Sequence, residues 1–273
     1  MPQNASYSKC AYLDTSILSE TVEHPEWYRP LFNILFSNRL YIALSDSLLI
    51  ELSQVTKKYS KFDNLFTLLP SAKIKNYEIV INEEVKSYPR KSIESLLAYP
   101  LTLEVGKQTI SSWLVSDEVK EARRQQRFFA KNMKQQLDSA KSKLLDSKKK
   151  RYTIKQAEIF TWMVIVEWLT ANHPTFMRKI NEKGILIKAE AFPSIQLYSL
   201  YVYYKYYLGN RESTEISEFG NLFHLFHFPY CKLIIVERKM CNILNKIKSH
   251  FKLLQDTEVK NIDFFMNPEF VKK

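Results

Sequence analysis

Within the first ninety residues, short apolar runs that read as strands alternate with longer stretches of helical spacing. CAYLD (10–14) reads as a buried strand, followed by a helical pattern broken near Pro25 and Pro30. RLYIALS (39–45) reads as the second strand. DSLLIELSQVTKKYSKF then reads as an amphipathic helix with its N-cap at Ser45 or Asp46. NYEIVIN (76–82) is expected to be the third strand, with a short helix over EEVKSYP (83–89). Strand, helix, strand, helix, strand is the pattern of a parallel α/β sheet.

The middle of the chain reads differently. From about Ile93 to Tyr207 the pattern is long helices, including the charged stretch from Ser116 to Glu158. The α/β pattern returns with NLFHLFHF as a helix, KLIIVE (232–237) as a strand and RKMCNILNKIKSHFKLL as a helix, with VKNIDFF (259–265) as a possible last strand. The expected organisation is therefore an α/β core over 1–92 and 211–273, split by a helical insertion over 93–210. Only four glycines occur in 273 residues, which argues against glycine-loop nucleotide binding and propeller architectures. Cys10, Cys231 and Cys241 are odd in number and lack metal-ligand spacing. Free thiols and a reducing, cytoplasmic compartment are expected, without a leader or a membrane span.

The formal net charge of +11 favours a polyanionic partner, nucleic acid first. Arg123, Arg124, Arg127, Lys131 and Lys134, then Lys148, Lys149, Lys150 and Arg151, include several at three-and-four spacing, as a phosphate-tracking helix requires. Interleaved Glu118, Glu121 and Asp138 equally fit a solvated face. Tyr198 to Tyr207 holds six tyrosines in ten residues, which could stack bases or pack against a sheet or partner subunit.

The chemistry rests on strand ends. Asp14 closes the first strand and Glu237 the late one, and parallel sheets gather such ends on one ligand-binding edge. Glu51 lies one turn into the helix after the second strand and can reach that edge. Carboxylates converging there repel unless a hard cation lies between them, and Mg²⁺ or Mn²⁺ suits an oxygen-only site. Asp14 alone also reads as a helix cap. His224 and His227 follow Asn221 at i+3 and i+6 and could meet phosphate or metal, or simply pack. Glu83 and Glu84 could fall near the same edge, and Asp46 reads as a cap.

YLDTSIL, SDSLLIEL and EFGNLFHLFHFPYCKLIIVERKM resemble the segments that carry the acidic residues of PIN-like nucleases. The resemblance spans about 7–90 and 218–265. It implies a parallel α/β fold and a divalent-metal-dependent endonuclease using Mg²⁺ or Mn²⁺. RNA is favoured over DNA, and a toxin or antiviral defence role is implied. Carried over, Asp14, Glu51 and Glu237 hold metal, Asn221 stands at the family's third acidic position, and Ser16 supplies the hydroxyl two residues after the first aspartate. Asn221 is uncharged, which fits either a natural weakening or a deliberate silencing of the site; Glu218 could supply a replacement carboxylate. Lys232 stands where relatives often carry another acid, and its ammonium is expected to compete with metal. The alternative reading is a catalytically inactive PIN-like protein that binds nucleic acid, a protein partner or its own copy.

Overall fold

In the computed structural model, the described residues are 10–90, 93, 95–100, 110–145, 153–208, 219 and 221–265. The chain begins β1 (Cys10–Leu13), α1 (Thr15–Thr21), α2 (Tyr28–Ser37), β2 (Tyr41–Leu44), α3 (Asp46–Leu52), α4 (Tyr59–Leu68) and β3 (Ser71–Ile74). It continues α5 (Tyr77–Ser87), β4 (Leu97–Pro100), α6 (Ile110–Leu114), α7 (Asp117–Leu145), α8 (Ile154–Asn172), α9 (Pro174–Glu182) and α10 (Pro193–Val202). Then come β5 (Leu233–Ile235), α11 (Arg238–His250) and β6 (Glu258–Lys260). No described helix is long and apolar enough to cross a membrane.

Two compact units divide the chain. One takes Met1–Asn76, Glu94–Arg127 and Tyr230–Lys273, and the other Tyr77–Ile93 and Phe128–Pro229. The first holds a six-stranded sheet in the order β4-β3-β2-β1-β5-β6. The five strands from β3 to β6 in that order run parallel, and β4 is an antiparallel edge. Every residue of β1 is buried, as a central strand covered on both faces demands. Ile17, Leu18, Leu31 and Leu35 from α1 and α2, and Leu48, Leu49 and Phe62 from α3 and α4, complete its apolar core. Cys10, Cys231 and Cys241 are free and buried in this unit.

The second unit is helical and held by aromatic rings. Tyr198 stacks on Phe226 at 4.9 Å, Tyr88 on Phe192 at 5.5 Å and Tyr206 on Phe219 at 5.5 Å. All six tyrosines of the 198–207 stretch are buried, Tyr203–Tyr207 in a π-helical turn, so they serve its core rather than a base-stacking surface. A capping box opens α8: the Thr153 N–H donates to Gln156 Oε1 at 2.8 Å and the Gln156 N–H donates back to Thr153 Oγ1.

Several expectations are corrected. NYEIVIN is not a strand but the start of α5, because Val80, Ile81 and Glu84 are its buried positions, a helical rather than an alternating set. The third strand is the four-residue SAKI just before it. NLFHLFHF forms 3₁₀ turns, Asn221–Phe226 and Phe228–Tyr230, instead of an α-helix. DSLLIELSQVTKKYSKF is two α-helices separated at Thr56–Lys58, and VKNIDFF contributes only the end of β6 before a 3₁₀ turn at Ile262–Phe264. The middle of the chain is not purely helical, since LAYP forms β4.

Candidate metal centre at the sheet edge

β1 pairs with β2 on one side and β5 on the other, and the chain leaves in opposite directions from there. In parallel sheets the carboxyl ends of the strands at such a reversal are the usual place for a ligand. Leu13 pairs with Ile235, and the Asp14 N–H donates to Ile235 O at 3.0 Å, so Asp14 stands on that rim.

Asp14 is indeed the N-cap of α1, and the cap aims its carboxylate. Thr15 N–H donates to Asp14 Oδ1 at 2.8 Å and the Ser16 hydroxyl to Oδ2 at 3.2 Å. Asp14 is 6% exposed. Capping and ligand binding are therefore compatible uses of one side chain, because fixing the rotamer is what both require. Glu51 reaches the same place from α3. That helix is started by Ser45, whose hydroxyl oxygen accepts the Leu48 N–H at 3.1 Å. The Thr15 hydroxyl donates to Glu51 Oε2 at 2.6 Å, and carboxylate oxygens of Glu51 and Asp14 lie within 4.8 Å of each other. Beneath them, Tyr12 and Ser45 share a buried hydroxyl contact at 3.2 Å. Burial raises the Tyr12 hydroxyl well above its ordinary pKa, and the charges of Glu51 and Asp14 push the same way against the lowering Ser45 hydrogen bond.

Glu237 follows β5 on the same edge as the N-cap of α11, but its side chain makes no cap bond and is exposed. Among the described residues it does not join Asp14 and Glu51 at ligand spacing. Lys232 is misplaced by the sequence reading. Its N–H donates to Cys10 O at 2.9 Å, at the opposite end of the strands, and four residues of strand put it about 13 Å along β1 from Asp14. It therefore does not compete for that edge. Asp46 is spent in an ion pair with Lys73, whose ammonium also lies 5.0 Å from the Trp113 ring centre.

The remaining candidates lie in the helical unit, on α7 or outside the described residues. Asn221 opens the 3₁₀ turn Asn221–Phe226; His224 is buried within that turn and His227 just after it. Glu83 and Glu84 are on α5, not after a strand, and Glu84 Oε1 accepts the Ser194 N–H at 3.0 Å at the start of α10. Arg124, Arg127 and Lys131 are exposed on α7, while Arg123 donates to Gln54 at 3.4 Å and Arg124 to Glu121 at 3.2 Å. Lys134 lies on the same helix and is partly buried. Glu218, Lys148, Lys149, Lys150 and Arg151 lie outside the described residues.

Sequence reasoning overlooked Thr15. Its hydroxyl ties α1 to α3 across 36 positions of sequence, and no local signal marks that. The buried Asp14 and half-buried Glu51 carboxylates, with three donors arranged around them, form a pair of oxygen ligands. Such a pair could anchor one hard divalent cation. Comparison with protein families, with curated proteins and with solved structures finds no match for this chain.

Proposed function

We propose that the chain is a divalent-metal-dependent nuclease that hydrolyses phosphodiester bonds, with RNA ahead of DNA. One observation carries the reading: Asp14 and Glu51 hold carboxylate oxygens within 4.8 Å of each other on the ligand-binding edge of a parallel sheet. Two carboxylates so close repel, and a divalent cation held between them would offset that repulsion. The resemblance of the strand-end segments to PIN-like nucleases and the net charge of +11 point to the same substrate class.

Asp14 and Glu51 would hold Mg²⁺ or Mn²⁺. When bound, the ion lowers the pKa of a water and offsets charge that develops on the phosphate. The chain's own part is positional. Ser16 and the Thr15 N–H lock the Asp14 carboxylate, and the Thr15 hydroxyl locks Glu51, so both acids keep their orientation when substrate arrives. Glu237, on the neighbouring strand end, is the next acid on that rim. The exposed cations of α7 would follow the phosphate backbone without reading bases, giving strongly salt-dependent binding.

The test pairs two readouts on the full chain and Asp14→Asn: cleavage of labelled RNA and DNA with Mn²⁺, Mg²⁺ or EDTA, and Mn²⁺ binding by calorimetry. Metal-dependent cleavage is expected to drop more than about a hundredfold in the variant, together with Mn²⁺ affinity. Absence of both cleavage and Mn²⁺ binding in the parent chain sinks the reading.

A further inference from the structure

The outer face of α8 carries large apolar side chains among its charged ones, where a helix on a protein surface should be polar. Ile159 is 62% exposed, Met163 50% and Trp162 39%, while Ala157, Thr161, Ile165 and Leu169 fill the inner face. Large apolar side chains grouped on the exposed face of a helix are a mark of a covered surface. Beside it, Ile185 and Leu186 are also exposed, Leu186 by 74%, and the Trp162 indole N–H donates to Ile187 O at 3.2 Å. That bond joins the helix and the 185–187 segment into one surface.

The outermost ridge of α8 reads Lys155, Ile159, Met163, Glu167, each one helical turn from the next and each exposed. This ridge is complementary to itself when reversed. An antiparallel copy crossing between Ile159 and Met163 sets Ile159 against the other Met163, and Lys155 against the other Glu167, twice over by symmetry. A shallow crossing of about 20° keeps both charge pairs in reach. With Ile154 included, the six exposed apolar side chains offer about 600 Å², taking roughly 200 Å² for each side chain when fully exposed. A stable interface covers about 800 Å² on each partner. A chain of net charge +11 repels its own copy, and this ridge is a place where opposite charges meet in pairs.

We infer that the chain forms a two-fold homodimer through α8, packed antiparallel on α8 of a second copy, with Lys155 and Glu167 fixing the register. Apolar contact supplies the affinity, and the rim charges supply orientation.

Sedimentation equilibrium of the full chain tests it. A dimer with dissociation constant in the low micromolar range is expected from an interface at the small end of the stable class, on the order of 1–10 µM. Lys155→Glu and Glu167→Lys should each weaken it about tenfold through two repulsive pairs, and the double swap should restore it to within about threefold. Ile159→Asp should leave only monomer at the same concentrations with an unchanged circular dichroism spectrum. A chain that stays monomeric up to about 100 µM overturns the inference. So does a dimer indifferent to Ile159→Asp, or one that the double swap fails to restore, since another face or another occupant is then in use.

Discussion

The sheet unit and the helical unit treat buried acid in opposite ways. In the helical unit Glu84 is 1% exposed and accepts the Ser194 N–H at the start of α10, where the helix dipole and an unpaired backbone donor favour a negative charge. In the sheet unit Asp14 and Glu51 are brought together, and a backbone amide and two hydroxyls are among the groups that donate to them. One acid with a helix start supports the fold. Two acids side by side repel, and a cation held between them would relieve that repulsion.

That contrast can be broken by substitution. The largest effect expected is at Glu84. Glu84→Leu leaves the Ser194 N–H without its acceptor and should cost about 1–3 kcal/mol in urea unfolding, whereas Glu84→Gln keeps an acceptor and should cost less. A stability equal to that of the parent would remove the structural role assigned to Glu84. At the sheet edge the sign should reverse. In metal-free buffer Glu51→Gln relieves repulsion while keeping an acceptor for Thr15, so stability should rise by about 1 kcal/mol. The same variant should lose most of the upward shift in melting temperature that Mn²⁺ gives the parent chain. A destabilised Glu51→Gln protein in EDTA would mean that the pair is structural after all.

The smallest effect sharpens the comparison through pH. Burial, with the charge and hydrogen bond of Glu78 adding to it, pushes the Tyr77 hydroxyl up to about 12. Below the ordinary phenol pKa of about 10 the ring is neutral whether folded or not, so its contribution is fully present there. Stability should then fall as pH rises from about 10 through 12, because the unfolded chain releases that proton first. Tyr12, also raised, adds to the fall from the sheet side. Tyr77→Phe should flatten part of the decline in urea midpoints measured across that window; an unchanged slope would assign the decline to other groups.

How much of this could be read from the chain depended on length scale. β1, β2 and β5 were legible because each is a short apolar run whose burial on both faces leaves no polar position, and Ser45 marked the start of α3. β3 was hidden because SAKI carries Lys73, whose ammonium is satisfied by Asp46 and Trp113, partners invisible in sequence. α5 was misread because NYEIVIN alternates over a few residues while its burial follows the helical period over eleven. β4 lay in a region expected to be helical, and its Pro100 is tolerated because the strand is an edge. Of the candidate site, Asp14 was legible as a strand end and Glu51 as a position one turn into the helix after β2. Thr15 was not, since its role exists only once α1 meets α3. Lys232 was placed at the wrong end because adjacency to a strand does not say which edge a residue occupies.

The central position of β1 has a consequence for synthesis. β2 covers one of its edges after about 30 residues, but β5, which covers the other through Leu13 and Ile235, arrives 222 positions later. At a translation rate of roughly 5–20 residues per second, that edge stays uncovered for roughly 10–45 s on every ribosome. A strand edge is a template for any passing strand. Nascent chains of this protein therefore carry an aggregation hazard in β1, which the arrival of β5 removes.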